Sequence, residues 1–122
     1  MIDHVIVNVK DLKASRAFYI PVLATLGYEV KMEFSEGVGF GKDGKLPFWI
    51  STREPSHTGL HLAFNCSERA LVDAFHAAAL AAGGKDNGAP GLRAHYHPNY
   101  YGAFVFDPDG NNIEAVCHLP PA

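Results

Sequence analysis

The stretch Tyr101–Val116, YGAFVFDPDGNNIEAV, predicts a β-hairpin near the end of this 122-residue chain. An apolar, β-prone run leads into DPDGN, where Pro108 sets the first turn torsion and Gly110 can take the left-handed conformation that closes the turn. The return strand carries Glu114 between two apolar residues. A carboxylate in an apolar strand costs free energy unless it is paired or binds a cation. Glu114 is therefore a candidate functional residue, and the alternative is a strand whose Glu114 face is wet.

Composition limits the class of protein. Hydrophobic residues make up 48% and charged residues 19%, with a formal net charge of −3, as in a single globular domain spanning residues 1–122. The mixed charges predict no nucleic-acid partner, and no apolar run approaches the roughly 20 residues of a membrane helix. Cys66 and Cys117 lack metal-binding or redox spacing, which favours reduced thiols in a cytoplasmic protein.

Two similar series of predicted elements make up the rest of the chain. Asp11 can cap the first helix, and Pro21 is expected to kink it or end it near Ile20. Ser67 can cap the second helix, and Lys85–Tyr100 is predicted to be a long polar and aromatic loop. The predicted strands before the hairpin are Ile2–Val9, Tyr28–Phe34, Gly37–Gly41, Leu46–Thr52 and Leu60–Phe64, and the predicted helices run from Leu12 to about Leu26 and from Glu68 to Ala82.

The chain contains an internal repeat. After a shift of 57 positions, the 24 residues of His4–Gly27 match His61–Gly84 at seven positions, where composition alone gives about two. The identical pairs are His4/His61, Asn8/Asn65, Ala17/Ala74, Phe18/Phe75, Leu23/Leu80, Ala24/Ala81 and Gly27/Gly84. A shift of 66 positions matches Asp43-Gly44 with the hairpin turn Asp109-Gly110. The longer second half is explained by an insertion before the hairpin.

The repeat predicts the fold. We expect an α+β domain of two repeated βαβββ units, whose roughly eight strands form a curved, cup-like mixed sheet. The first unit covers about residues 1–56 and the second about residues 57–118.

The repeat also places two histidines at equivalent positions. On the first strand of each unit, His4 or His61 shares a face with an asparagine, while larger apolar residues take the other face. If the apolar faces pack on the helices, both histidines point to the concave side, where Glu114 can join them. Two imidazoles and one carboxylate with open positions suit a catalytic divalent metal that acts as a Lewis acid. The alternative is a pair of half-buried strand histidines that the duplication copied.

Three segments at this spacing resemble one known family. They are DHVIVNVKDLKASRAFY (residues 3–19), GLHLAF (residues 59–64) and DPDGNNIEAV (residues 107–116). In this order they resemble the vicinal oxygen chelate superfamily, whose members include glyoxalases, fosfomycin and bleomycin resistance proteins, methylmalonyl-CoA epimerases and extradiol dioxygenases. The resemblance covers essentially the whole chain and implies the two-unit fold, while leaving the reaction open among several.

The resemblance also implies a ligand set. Family metal ligands come from the first and last strands of each unit, so His4, His61 and Glu114 match three of four positions. The fourth maps to Phe48, or to Trp49 if the alignment slips by one residue, and neither side chain can bind a metal. This set is similar to that of extradiol dioxygenases and fosfomycin thiol transferases, and departs from the four-ligand glyoxalase I and epimerases. Fe²⁺, Mn²⁺, Zn²⁺ and Ni²⁺ are the candidate ions.

Other candidate residues lie in the inserted segment. His97, Tyr100 and Tyr101 are candidate catalytic residues, as acid, base or hydrogen-bond donor to a metal-bound oxyanion. Arg93 and His95 are candidate substrate-binding residues, since Arg93 can hold a carboxylate or phosphate. The alternative is a surface loop of satisfied polar and aromatic groups.

Phe48 and Trp49 are further candidate substrate-binding residues. They are expected to form the apolar wall of the pocket, or else to belong to the core.

These observations predict a metal-dependent enzyme that chelates adjacent oxygens of a small substrate. Its reaction is ring-opening dioxygenation, isomerisation or lyase chemistry, or thiol addition. The competing class is a non-catalytic small-molecule binder, such as a bleomycin resistance protein. For relatives of this length the resemblance implies a homodimer, with His4 from one chain and His61 and Glu114 from the other.

Overall fold

The two predicted βαβββ units are confirmed. The computed structural model describes residues 1–121, in which each unit consists of one strand, one helix and three further strands. The first unit comprises β1 (Val5–Asn8), α1 (Leu12–Ala24), β2 (Glu29–Phe34), β3 (Gly37–Lys42) and β4 (Lys45–Ser51). The second comprises β5 (His61–Asn65), α2 (Arg69–Ala81), β6 (Lys85–Leu92), β7 (Tyr101–Phe106) and β8 (Asn112–Cys117). None of the helices in this part of the chain is long and apolar enough to cross a membrane.

Each unit forms its own four-stranded mixed sheet. The strand order is β1-β4-β3-β2 in the first sheet and β5-β8-β7-β6 in the second, so the two sheets have the same topology. The first and last strands of each unit pair in parallel, and the other neighbours are antiparallel. This parallel pairing brings the histidine end of β5 beside β8, the strand that carries Glu114.

One hydrophobic core joins the two units. Helix α1 buries Phe18 and Tyr19, and helix α2 buries Phe75, all at 1% exposure or less. Phe48 of the first sheet packs against Phe64 of the second, with ring centroids 5.3 Å apart. The faces that meet the helices are therefore closed, and each sheet keeps one face opposite the helices, which we call its open face.

The DPDGN turn fastens the second unit to helix α1. Asp107 is 5% exposed and accepts hydrogen bonds from the backbone N–H groups of Asp109 and Asn111, both at 2.9 Å. The hydroxyl of Tyr19, which is fully buried, donates to Asp107 Oδ2 at 2.5 Å. The backbone N–H of Lys10 donates to Asp109 Oδ1 at 3.0 Å. The sequence predicts DPDGN only as a hairpin turn, and in the structure this turn also connects the two units.

The main correction concerns the segment after α2. Residues 85–100 were expected to form a long loop, but Lys85–Leu92 forms strand β6 and pairs with β7. Its sequence, KDNGAPGL, lacks the apolar alternation of a strand and its pairing is irregular near Gly88. It lies at the edge of the sheet, where Gly and Pro are tolerated because one side of the strand needs no partner. Only residues 93–100 remain as the connection to β7.

Two helix boundaries also differ from expectation. Helix α2 begins at Arg69 with Glu68 as its N-cap and no side-chain capping bond, so the predicted cap at Ser67 is wrong. Helix α1 continues past Pro21 to Ala24, so the predicted early end near Ile20 is wrong as well. The last turn holds because Val22 and Leu23 are fully buried, and packing offsets the missing amide donor. The Asp11 cap is confirmed, since its carboxylate accepts from the N–H of Ala14 at 3.1 Å.

Candidate functional site

The carboxylate of Glu114 lies on the open face of the second sheet and is 1% exposed. Its Oε1 accepts a hydrogen bond of 2.8 Å from Nε2 of His61, whose side chain is 55% exposed. His61 and Glu114 meet because β5 and β8 run in parallel, with Ala63 opposite Glu114. The predicted proximity of these two side chains is therefore present within one chain.

Tyr100 completes this cluster from the connection before β7. Its hydroxyl donates a short hydrogen bond to Glu114 Oε2, so each carboxylate oxygen has its own partner. Burial, together with the hydrogen bond and negative charge of Glu114, raises the pKa of Tyr100 well above that of an ordinary phenol. The phenol therefore stays neutral at physiological pH and acts as a donor.

His97 supports the ring of Tyr100 and does not touch Glu114 in this arrangement. The backbone N–H of Asn99 donates to His97 Nδ1 at 3.1 Å. The ring proton of neutral His97 then sits on Nε2, which donates to His118 Nδ1 at 2.8 Å. The His97 and His118 rings pack edge-on against Tyr100, at centroid distances of 5.5 and 5.3 Å.

Two other candidates in this segment make local contacts. Arg93 donates from Nη1 to the carbonyl of Gly91 at 2.9 Å and from Nη2 to that of Ala89 at 2.8 Å. His95 is exposed and packs against Tyr96, with ring centroids 4.1 Å apart and ring planes tilted by 46°. Neither makes a hydrogen bond to Glu114, whose two bonds go to other residues.

Tyr101 lies on the opposite side of the sheet from Tyr100. Its hydroxyl donates to Asp73 of helix α2 at 2.6 Å, and the Arg69 guanidinium lies 5.2 Å from its ring centre. The interpretation of Tyr101 as a catalytic residue is therefore corrected. The reason is the strand period of two, which sends neighbouring residues to opposite faces.

The family's fourth metal-ligand position falls on Phe48 or on Trp49, and the register between paired strands shows which of the two occupies it. In the first sheet Ile6 lies opposite Trp49, and in the second Ala63, 57 positions after Ile6, lies opposite Glu114. Trp49 is therefore the structural equivalent of Glu114. Phe48 points the other way into the core and is 1% exposed, so the core alternative applies to it. Its proposed role in substrate binding is corrected, because it lies on the closed face.

Trp49 lines a cavity of about 620 Å³ on the open face of the first sheet. Its indole N–H donates to the carbonyl of Leu46 at 3.1 Å, which fixes the ring. The ring covers Gly39, where an added Cβ would come within 2.7 Å of ring atoms. The residues that line this cavity are Asp3, His4, Ile6, Phe34, Ser35, Glu36, Gly37, Leu46, Trp49, Ile50, Ser51 and Arg53.

The family resemblance implies a divalent metal ion, and the donor atoms of the candidate ligands can be checked for whether they suit one. His61 Nε2 and Glu114 Oε1 are 2.8 Å apart and joined through one proton, so a cation could replace that proton between the same two donors. His4 contacts Asp3 Oδ1 through Nδ1 at 2.8 Å, which leaves its Nε2 free for a ligand. His4, however, lines the cavity of the first sheet. Residues 1–121 contain no group of three His, Cys, Asp or Glu side chains able to hold one ion. The donor types fit, and one chain contributes two of them together.

Sequence reasoning missed several contributors. His118 is not among the predicted site residues, but it bonds His97. Phe34 and Arg53 line the first cavity without having been considered. A usable signal was GVGFG (residues 37–41), in which glycine occupies every second position of a strand. That pattern leaves room above one face, and the indole of Trp49 fills part of it.

Comparison with known proteins agrees with this architecture. Residues 1–115 match the family model of the glyoxalase/bleomycin resistance protein/dioxygenase superfamily. The chain therefore belongs to that superfamily.

Individual relatives are similar over nearly their whole length. The uncharacterized protein YqjT of Bacillus subtilis (strain 168) is 30% identical, over 93% of this chain and 96% of YqjT. A glyoxalase/bleomycin resistance protein from Albidiferax ferrireducens T118 is 34% identical with a TM-score of 0.84, over 94% of this chain and 97% of that one. A family enzyme from Burkholderia phytofirmans PsJN shares the fold, with 23% identity and a TM-score of 0.73, over 97% and 98% of the two chains.

Proposed function

We propose that this protein is a divalent-metal-dependent enzyme that binds a small substrate through two adjacent oxygens. One observation carries the proposal: the buried carboxylate of Glu114 meets His61 Nε2 at 2.8 Å on an open sheet face. A carboxylate at 1% exposure needs strong partners, and a cation is one that would suit it. The histidine and carboxylate are also ligand types shared by Fe²⁺, Mn²⁺, Zn²⁺ and Ni²⁺.

The complete site is proposed to form between two chains. His61 and Glu114 of one chain would hold the ion together with His4 of a second copy. This is supported by the separation of the donors within residues 1–121, where no three such side chains cluster. It is also supported by the exposed apolar side chains of the first open face, with Ile6 at 52% and Phe34 at 60% exposure. The two buried free thiols, Cys66 and Cys117, are consistent with a cytoplasmic location.

The chain's own groups define what such a site would do. A divalent ion bound there would polarise substrate oxygens as a Lewis acid. Tyr100 holds Glu114 Oε2 by hydrogen bonding and leaves Oε1 directed at His61. His97 packs against Tyr100, and its hydrogen-bond partner His118 is exposed to solvent. The reaction type remains open among dioxygenation, isomerisation or lyase chemistry, and thiol addition.

The test is metal content and metal affinity. Protein purified without chelators is expected to contain a divalent ion by elemental analysis. After removal of the ion, calorimetric titration is expected to show rebinding that His61→Ala weakens by more than about 100-fold, because the loss of a ligand exceeds the effect of an outer partner. His57→Ala, an exposed loop histidine, is the matched control and should bind like the wild type. Equal affinity in both variants would place the metal elsewhere.

A second candidate is a non-catalytic small-molecule binder of the same fold. It is favoured by the 620 Å³ cavity of the first unit, which has an aromatic wall and lies within the usual size range of ligand sites. Under this alternative the chain binds its ligand without any divalent ion. Chelator-treated protein that binds ligand as tightly as metal-loaded protein would support the binder.

A further inference from the structure

One buried acceptor in the second sheet has no hydrogen-bond partner. The side-chain oxygen of Asn112, Oδ1, is shielded from solvent, and no donor within residues 1–121 bonds to it. An unpaired amide oxygen away from water costs free energy, so folded proteins keep few of them. The position of Asn112 in the sheet indicates what this oxygen is for.

Asn112 lies across from His61. The parallel pairing of β5 with β8 sets His61 opposite Asn112 and Ala63 opposite Glu114. Paired strands lie about 4.8 Å apart, and side chains two positions apart on one strand share a face. Asn112 therefore shares the open face with Glu114 and His61. The small side chain of Ala63 leaves room for the imidazole to reach Glu114 along the sheet.

The two ring nitrogens of His61 have different surroundings. The hydrogen bond that the ring makes within residues 1–121 joins Nε2 to Glu114 Oε1 at 2.8 Å. With an ionised carboxylate as its partner, Nε2 carries the proton of the neutral ring, and Nδ1 is then an acceptor. Two acceptors cannot bond each other, so Nδ1 of His61 offers nothing to Asn112 Oδ1 in this form.

Binding of a cation would exchange the roles of these nitrogens. Nε2 can bind a metal ion only through its lone pair, so the proton of neutral His61 must then sit on Nδ1. Histidine ligands almost always donate this second N–H to an oxygen, which fixes the ring orientation and strengthens the ligand. The unpaired oxygen of Asn112 is such an acceptor, on the same face and opposite the same residue.

We propose that Asn112 is a positioning residue for His61, whose Nδ1–H it accepts through Oδ1 when Nε2 binds the ion. This inference rests on the metal-dependent function proposed above and adds one residue to it. Asn112 does not bind the ion and acts only through the orientation and tautomer of His61. Because its oxygen is unpaired in the metal-free protein, its contribution belongs to the metal-loaded form alone.

The experiment measures Zn²⁺ affinity by calorimetry in the full-length chain. Asn112→Leu keeps a similar size but removes the acceptor, and it is expected to weaken Zn²⁺ binding about 10- to 100-fold. Asn112→Asp keeps an acceptor and should bind Zn²⁺ at least as tightly as the wild type. Asn65→Leu is the matched control, because Asn65 is an exposed asparagine on β5, and it should bind like the wild type.

Two further measurements separate positioning from a structural role. Metal-free Asn112→Leu should unfold at the temperature of the wild type or above it, because the substitution removes no hydrogen bond. Nitrogen–proton correlation spectra of the His61 ring should show the proton on Nε2 in the metal-free wild type. In the Zn²⁺-loaded wild type the proton should be on Nδ1.

The outcomes distinguish this inference from the proposed function. If Asn112→Leu binds Zn²⁺ as tightly as the wild type, Asn112 does not position His61, while the metal site itself stands. A lower unfolding temperature of metal-free Asn112→Leu would also overturn the inference, since the oxygen would then already have a partner. A wild type that binds no Zn²⁺ would instead refute the proposed function, and the role of Asn112 with it.

Discussion

At the scale of single residues, Glu114 is the most consequential side chain. It is a carboxylate at 1% exposure whose two oxygens are held by two different partners, His61 and Tyr100. A buried charge is tolerated only when such partners replace water. The same arrangement places a histidine nitrogen and a carboxylate oxygen close together, and both are donor types that a divalent ion binds.

Removing the phenol of Tyr100 should show what it does for Glu114. Tyr100→Phe leaves one oxygen of a buried carboxylate without its donor, which is expected to cost about 1–3 kcal/mol in the free energy of unfolding. Urea unfolding at a fixed protein concentration measures this loss. Tyr96→Phe is the control, since the Tyr96 ring packs against Tyr100 with centroids 4.8 Å apart but Tyr96 is 60% exposed. If the two variants lose equal stability, the Tyr100–Glu114 bond contributes little.

The buried thiol of Cys66 is expected to make the folded protein less stable at alkaline pH. Burial raises the pKa of its thiol from 9.0 to about 11. Above pH 9 the unfolded chain loses this proton while the folded chain keeps it, so stability is fully present below pH 9 and falls as the pH rises towards 11. The expected loss is up to about 2–3 kcal/mol.

The measurement compares wild type with Cys66→Ala across this pH range. Tyr19 and Tyr100 have raised pKa values to which Cys66 does not contribute, so their contributions cancel in the difference. The charge of an ionised Cys66 also raises the pKa of Tyr28, so that coupling is part of the measured effect. The free energy of unfolding of the wild type minus that of Cys66→Ala should be constant below pH 8. It should shrink towards pH 11, because only the wild type loses stability through the thiol of Cys66. A difference that does not change with pH would refute the assignment to Cys66.

At the scale of elements, the turn after β7 does more than connect two strands. Asp107 accepts hydrogen bonds from its own turn and from Tyr19 of helix α1. Backbone amides of the turn and a phenol of the other unit thus share one buried carboxylate. This makes the turn a structural link between the two units.

This link can be tested with a pair of variants. Tyr19→Phe removes one bond to a charged acceptor and is expected to cost about 1.5–3 kcal/mol, while Asp107→Ala leaves several buried donors unpaired and should cost more than that. Asp109→Ala is the control, because its bonds to Lys10 and Ser15 are partly exposed and longer, at 3.0 and 3.4 Å. Thermal and urea unfolding report all three. A larger loss in Asp109→Ala than in Asp107→Ala would contradict this role.

At the scale of the whole molecule, the two units are similar in topology but different in chemistry. The open face of the second sheet carries His61 and Glu114, and the equivalent face of the first carries His4 and Trp49. Duplication therefore produced one polar half and one aromatic half. Under the proposed dimer, a polar half of one chain meets an aromatic half of the other.

Mixing inactive variants tests this arrangement. His4→Ala and Glu114→Ala are each expected to lose metal binding, and exchange between them should restore one intact site in each mixed dimer. The control is a mixture of His61→Ala with Glu114→Ala, in which every site still lacks a ligand if both come from the same chain. Metal content after exchange is the readout. No recovery in the first mixture, or equal recovery in both, would contradict a shared site.

Much of the architecture followed from sequence periodicity. The shift of 57 positions that aligns His4 with His61 also relates Leu12–Ala24 to Arg69–Ala81, the bounds of the two helices. Apolar spacing and turn residues are local signals, so they predict elements and repeats directly. Strand β6 escaped prediction because its glycines and proline are stabilised by pairing with a distant strand and not by their own propensity.

The arrangement of side chains in the candidate site could not be read from local sequence patterns alone. The sequence by itself determined the candidate donor types, with His4 and His61 at equivalent positions of the two units and Glu114 on the last strand of the second. Only the tertiary structure decided that Tyr100 reaches Glu114 while Tyr101 turns to helix α2, and that Trp49, not Phe48, faces the open side. A shift of one residue along a strand reverses the face of a side chain, so these assignments need the register between strands. Register is set by pairing between residues far apart in the chain, which no local pattern contains.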